Sequence, residues 1–357
     1  MKTQRLFVVL MIMGFQTAFA DPVVRQQTNM PNSTEQAIFG TPNYTTAPIN
    51  NPDEKSIGKP VNARVVLKHK DLSRLSKMAR DGNINAANAI KNAANEGDSN
   101  AALQYGYLAH TGKLPSMGTN YAIAMKAYKK AARQKDKNGQ ELGYLGNHLA
   151  AYNIGVMYQQ GQGVPQSASE AYRWFKIANE AYQEKNANRS FYPAAVQMAR
   201  ALQSGVGVAR DDKAAIQLWQ SLMRENVPEA MTQYANMVLA GRGGMIKNPS
   251  IAISNYTLAA NRWDLEAMQA LAVLHSKGDS VAFEANLIES AKWYIILATV
   301  NKKKFGGKER AALAKLKNEH ERKTVQRIAH NWLTQHATIP EPFDYTVPLS
   351  EEPKRYY

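Results

Sequence analysis

Two glycine pairs, Gly161-x-Gly163 and Gly205-x-Gly207, are the first spacings in the chain that suggest chemistry, because glycine-rich turns can cradle phosphates. A dinucleotide site would need a preceding strand and a third glycine, and a phosphate loop would need Gly-Lys-Ser/Thr; neither context is present. The histidines are His69, His110, His148, His275, His320, His330 and His336, and no two stand as H-x-x-x-H or H-E-x-x-H. They predict no metal site. There is no cysteine to serve as thiolate nucleophile, thiolate ligand or disulfide partner, and no G-x-S-x-G elbow presents a serine. The expectation is a protein without catalytic residues, metal or cofactor. An enzyme hidden in a groove would need two carboxylates that meet only in the fold.

Charge is the other feature that could act. The formal net charge is +15, and the isoelectric point is near 9.7. Lys126, Lys129, Lys130, Arg133, Lys135 and Lys137 form one dense cluster, and Lys302, Lys303 and Lys304 begin a second with Lys308 and Arg310. Lys315, Lys317, Arg322, Lys323 and Arg327 extend it. Such runs are either solvated helix faces or docking faces for something acidic: a protein, anionic lipid headgroups, lipopolysaccharide phosphates or an acidic wall polymer.

Nucleic acid is disfavoured by the compartment that the first twenty residues predict. Lys2 and Arg5 precede an apolar run from Leu6 to Phe15, and Ala18-Phe19-Ala20 is an A-x-A cleavage site: the three parts of an export signal in order. The run is too short for an ordinary transmembrane helix, and no cysteine follows to carry a diacyl anchor. Cleavage would leave a chain of net charge +13, periplasmic or secreted. Residues 21–62 are rich in Asn, Thr, Pro and Gln without helical period and predict a disordered linker. Residues 338–357 carry Pro340, Pro342, Pro348 and Pro353 and predict an extended tail, either loose or strapped across the helices.

The middle of the chain repeats. Before Gly112, Gly161, Gly205, Gly241 and Gly278, an apolar residue stands at seven positions back (Tyr105, Ile154, Met198, Tyr234, Leu271). A small one stands at six back (Gly106, Gly155, Ala199, Ala235, Ala272). This is a first helix with an apolar stripe and one point of close approach, closed by a glycine in the left-handed conformation. A second helix follows each glycine, with stripes such as Ala171/Trp174/Phe175/Ala178, Ala215/Leu218/Trp219/Leu222 and Ser290/Trp293/Tyr294/Leu297. On these stripes Trp174, Trp219 and Trp293, with Tyr158 and Tyr234 on the first helices, are expected in the core rather than on a stacking platform. Ser167 with Glu170, and Asn248 before Pro249, are start signals.

The copy from Ala151 to Ala178, with Ile154-Gly155, Met157-Tyr158, Gly161-x-Gly163-Val164 and Ala171-x-x-Trp174, resembles the Sel1-like repeats, relatives of the tetratricopeptide repeats. Gly205-Val206-Gly207-Val208 repeats its signature, whereas the copies around Gly112, Gly241 and Gly278 lack it in full. The resemblance covers roughly residues 70–335. It implies an all-α, right-handed solenoid of antiparallel helix pairs. Residues 63–100 would be capping helices or a degenerate repeat, 101–300 five repeats, and 301–337 closing helices. It further implies an adaptor or scaffold for protein complexes in an envelope, secretion or host-contact system. Partners would dock on the concave, first-helix face, at Gln104, Tyr107, Tyr152, Asn153, Val156, Gln159, Gln233 and Asn236. The alternative is an envelope-ligand module that binds cell wall or anionic lipid through Lys126, Lys129, Lys130, Arg133 and Lys302 to Lys304.

Overall fold

A computed structural model describes residues 67–135, 141–186, 189–279, 283–341 and 343–353. The expected signal and linker lie outside them, as do Lys137 and the last four residues. The first helix pair is α1 (His69–Arg80) and α2 (Ile84–Glu96). Five further pairs follow: α3 (Ser99–His110) with α4 (Tyr121–Ala132), α5 (His148–Gln160) with α6 (Ala168–Lys185), α7 (Tyr192–Ser204) with α8 (Asp212–Arg224), α9 (Pro228–Ala240) with α10 (Pro249–Ala260), and α11 (Leu265–Lys277) with α12 (Leu287–Val300). Helices α13 (Lys302–Ala314) and α14 (Glu319–Gln335) close the stack. A two-stranded antiparallel hairpin, β1 (Gln134–Lys135) and β2 (Glu141–Gly143), is inserted between α4 and α5. Helices α1 to α13 pack chiefly on their neighbours in sequence, whereas α14 turns back onto α12. That is the solenoid arrangement, in which no pair buries its stripe alone.

Helix starts are set by side-chain caps. Asn83, Asp98, Asn120, Asn147, Ser167, Asp211, Asn248, Asp264, Asn286, Asn301 and Asn318 each accept a backbone N–H from three residues on. The reciprocal half of the expected capping box does not form, because Glu170 turns its carboxylate to Arg173. Gly161, Gly205 and Gly241 end α5, α7 and α9 in the left-handed conformation. Gly278 departs from that expectation: its φ is positive, but ψ is −174° and the chain leaves α11 extended.

The stripes do what their period predicts. Trp174, Trp219 and Trp293 are buried, together with Tyr128 and Tyr256 at related positions. The small residue on each first helix admits the ring opposite. A Cβ on Gly155 would lie 2.6 Å from the Phe175 ring, so the ring rests on bare backbone. At the closing end Trp332 meets Trp263 at 5.0 Å and Trp293 at 5.6 Å, and stacks on His336 at 4.1 Å. The Trp263 indole donates to the His336 carbonyl, which fixes the point where the tail leaves the helices.

One cap carries a pH signature. Asp264 accepts the Ala267 N–H at 2.8 Å, and burial, with Glu266 nearby, pushes its carboxyl up to about 6. The folded chain therefore holds this proton more tightly than the unfolded one, and stability falls as pH rises from about 4 to about 6. Asp264→Asn keeps the cap and removes the penalty. It should raise the melting temperature at pH 7.5, by about 2 kcal/mol of stability or less, and leave it unchanged at pH 4. Equal shifts at both values would exclude this origin.

Candidate functional site

The first helices α3, α5, α7, α9 and α11 carry a row of amides that the stripes do not use. Eight residues before each closing glycine stand Gln104, Asn153, Gln197 and Gln233, with Ala270 in the fifth copy. Because the repeats stack, equivalent positions on successive first helices fall side by side. Asn153 and Gln197 are buried; Gln104 and Gln233 are half-buried.

A buried amide must find hydrogen-bond partners. Asn153 finds them in the C-terminal tail, nearly two hundred residues away. Its Nδ2 donates to the Leu349 carbonyl at 2.8 Å, and its Oδ1 accepts the Leu349 N–H at 2.7 Å. Both main-chain groups of one extended residue are thus held by one side chain. Gln104 Nε2 donates to the Ser350 carbonyl at 2.8 Å, the Tyr152 hydroxyl to the Tyr345 carbonyl at 3.0 Å, and Gln160 Nε2 to the Thr346 carbonyl. All five bonds go to the tail's main chain. The tail is therefore a strap.

The strap runs antiparallel to α5. Thr346 lies at Gln160, Leu349 at Asn153, and Glu352 at His148, whose Nε2 is 3.4 Å from the Glu352 carboxylate. Thr346 and Leu349 are three residues apart where Gln160 and Asn153 are seven, and Leu349 and Glu352 three where Asn153 and His148 are five, so the strap advances steadily toward the start of α5. Side chains seat the other points. Phe343 sits edge-on to Tyr192 at 5.3 Å and to Tyr345 at 4.7 Å. The Arg200 guanidinium lies 4.6 Å over the Tyr345 ring and is held from the side by Glu229 at 2.6 Å. Leu349 packs on the core shared by α1 to α7. Asp344 accepts from the N–H and hydroxyl of Thr346, which turns the chain between the aromatic pair and the straight run. Burial pushes the Tyr152 hydroxyl well above its usual range, and burial with Lys185 nearby lowers His148 to about 4. At neutral pH both are therefore uncharged.

Of the eight expected contact residues, Gln104, Tyr152 and Asn153 hold the tail. Gln233 and Asn236 instead form a separate group around Glu266, at 3.2 and 3.0 Å, with the Tyr256 hydroxyl donating to Asn236. Gln159 donates to Gln197. Tyr107 is half-buried on α3 and its carbonyl accepts from Thr111. Val156 corrects the expectation of an open side chain: it is fully buried in the core, because it faces the neighbouring helices and not the strap. Reasoning from sequence missed Gln160, Gln197, Tyr192 and Arg200. The recurrence of an amide eight residues before the glycine was the signal for Gln197.

The expected basic residues lie elsewhere. Lys126, Lys129 and Lys130 are on α4, Lys130 donating to the Asn95 carbonyl, and Arg133 follows that helix. Lys302, Lys303 and Lys304 occupy the first turn of α13, with no acidic residue beside them in that turn. Lys302 reaches Glu309, and Lys304 lies 5.1 Å over the Phe305 ring. Among the described residues, no group of three or more His, Asp or Glu is placed to hold a metal ion, and no helix is long and apolar enough to cross a membrane.

Comparison with known proteins gives the same repeat. The Sel1 repeat family matches residues 99–136, 148–181, 193–222, 228–262 and 265–299. The fold is shared with the crystal structure of a protective antigen of uropathogenic Escherichia coli strains displaying an SLR fold, at TM-score 0.56 and 19% identity. That match covers 74% of this chain and 52% of the antigen, so this chain spans about half of its length. A Sel1 repeat protein of Oxalobacter formigenes is similar at TM-score 0.56 and 20% identity over 74% of this chain and 99% of that one. A comparison with curated proteins gives no match. Proteins built of Sel1 repeats typically mediate protein–protein interaction as scaffolds. With five such repeats in succession on a helix-pair solenoid, the chain belongs to the Sel1 repeat family.

Proposed function

We propose that this protein is an exported, non-catalytic adaptor that holds an extended segment of a partner protein across α3, α5 and α7. The observation that carries the reading is Asn153, a fully buried amide whose two polar atoms both bond the main chain of a single extended residue. Such a clamp recognises an extended backbone irrespective of sequence. The signal-like first twenty residues support export beyond the inner membrane, to the periplasm or outside the cell. Photoreactive residues at Gln104, Gln160 and Gln233 test the reading in cells, with Arg173 and Lys213 on second helices as controls. A discrete protein adduct from the first set, absent from the controls, is the expected result. Adducts of equal yield from both sets would refute it.

A second reading rests on α13. Three lysines crowd its N-terminal turn, where the helix dipole repels cations at about 0.3–1 kcal/mol each. Three cations placed together against that cost support an anionic envelope component as a ligand of this end, either cell wall or anionic lipid. Salt-sensitive sedimentation with envelope fractions, lost when Lys302, Lys303 and Lys304 become glutamine, is the expected outcome. Sedimentation indifferent to salt and to the substitutions would exclude this route.

A further inference from the structure

The strap also says which segment the groove takes. We infer that the α3–α5–α7 face binds a segment that turns after the second of two aromatic residues spaced two positions apart and carries an aliphatic residue four further on. We also infer that residues 343–352 are the chain's own copy of that ligand, which a partner must displace. The inference rests on the adaptor reading and deepens it.

The argument separates what holds the strap from what selects it. The five bonds from Gln104, Tyr152, Asn153 and Gln160 reach main-chain atoms alone, and any extended chain would satisfy them. Selection has to come from side chains. Phe343 meets the Tyr192 ring, Tyr345 lies beneath Arg200, and Leu349 packs on the α1–α7 core. The arginine is not free to follow another ligand, because Glu229 fixes its Nε. A cation held over one ring position is a selective feature, since attraction to an aromatic face is lost with an aliphatic side chain. The face is thus built for a pattern, and the chain carries the pattern within reach. Trp263 pins His336, and seven residues later the first aromatic is already seated.

Tethering gives the strap an effective concentration on the order of millimolar. An added peptide of about 0.1 mM affinity would then be weakened about tenfold by the resident strap, and a partner must bring further contacts or a higher local concentration. The uncovered side groups on α9 and α11, Gln233, Asn236 and Glu266, adjoin the seated strap through Arg200 and Glu229 and are where such contacts would extend.

The test uses the full chain and a fluorescent peptide of the sequence from Phe343 to Pro353, read by anisotropy. The wild-type chain should bind it weakly. The double variant Phe343→Ala/Tyr345→Ala, whose own strap is released, should bind it about tenfold more tightly. Adding Asn153→Leu should abolish binding, as should replacing both aromatic residues of the peptide by alanine. Circular dichroism of each variant separates loss of the groove from loss of the fold. Equal binding by the wild type and the double variant would overturn self-occupancy. Binding of the alanine peptide as tightly as the parent would overturn the aromatic selection. If the peptide binds no form while probes at Gln104 and Gln160 still capture a partner, this inference fails and the adaptor reading stands.

Discussion

Gly207→Ala should lower the urea midpoint sharply and split the unfolding transition in two, with a cost of about 3–5 kcal/mol. Gly207 has φ +77°, which an L-residue adopts at about 1 kcal/mol or more. The larger part of the cost is contact. A Cβ there would lie 2.3 Å from the carbonyl oxygen of Ala168, the first residue of α6. Neither atom is at the end of a flexible side chain, so the loop after α7 and the start of α6 must part. The same device recurs. Gly163 lies against Tyr121 at the start of α4, and Gly243 against Asp212 and Ile216 at the start of α8. Each second glycine of a Gly-x-Gly loop is therefore the seat on which one repeat rests on the preceding one. In a solenoid, stability is close to a sum of repeats and nearest-neighbour interfaces, so weakening one interface uncouples the halves on either side. Hydrogen exchange should then show α1 to α6 and α8 to α14 opening separately. Gly244→Ala is the control. Its φ is +83°, and nothing lies within 4 Å of the added carbon, so it should cost only the backbone term of about 1 kcal/mol. Equal midpoints for the two variants would refute the seating argument.

The repeat was legible because local chemistry writes it. Caps, left-handed glycines and 3.6-period stripes are each decided within a few residues, and five copies reinforce one another. The copy around Gly241 looked incomplete because valine is missing after its second glycine. Gly243 nevertheless takes the seat against α8, since the seat needs a bare Cα and not the valine. The groove was half legible. A first-helix face can be read from which positions the stripe leaves over, and that names Gln104 and Asn153. It cannot say which leftovers are buried, because Asn153 is covered by a strap separated from it by 196 residues. Prolines predict that the tail is extended, yet extension has no periodicity from which a docking register could be read. Arg200 and Tyr192 escaped for the same reason: their partners are tail rings with no local signal. Val156 was misplaced because which positions of a helix face neighbouring helices depends on the crossing angle between them, which the sequence alone does not fix.

Asn153→Leu should free the strap without unfolding the solenoid, and chymotrypsin should report it by cutting at Phe343 and Tyr345. In the wild type these rings are seated against Tyr192 and Arg200, and cleavage requires the segment to lift into an extended, accessible form. Leucine nearly matches asparagine in volume, so the surrounding core, which includes Tyr152 and Val156, is kept filled. What the strap loses is the pair of bonds to Leu349, at about 1–1.5 kcal/mol each, because released main-chain groups find water instead. The bond between Asn153 and the buried Tyr128 hydroxyl is lost too, which weakens the solenoid and not the hold on the strap. A change of 2–3 kcal/mol takes a strap closed about ten to one to one that is mostly open, and the cleavage rate rises about 8- to 10-fold when reclosing is faster than cutting. Gln104→Leu removes one bond, to Ser350, and should raise the rate by about fourfold to sixfold. Gln233→Leu, whose amide bonds Glu266 and not the strap, should leave it unchanged. The order of the three rates is the discriminating quantity, since general loosening would speed cleavage in all of them alike. A rate for Asn153→Leu no higher than that for Gln233→Leu would show that the strap is held by its rings alone and that the amide row has another purpose.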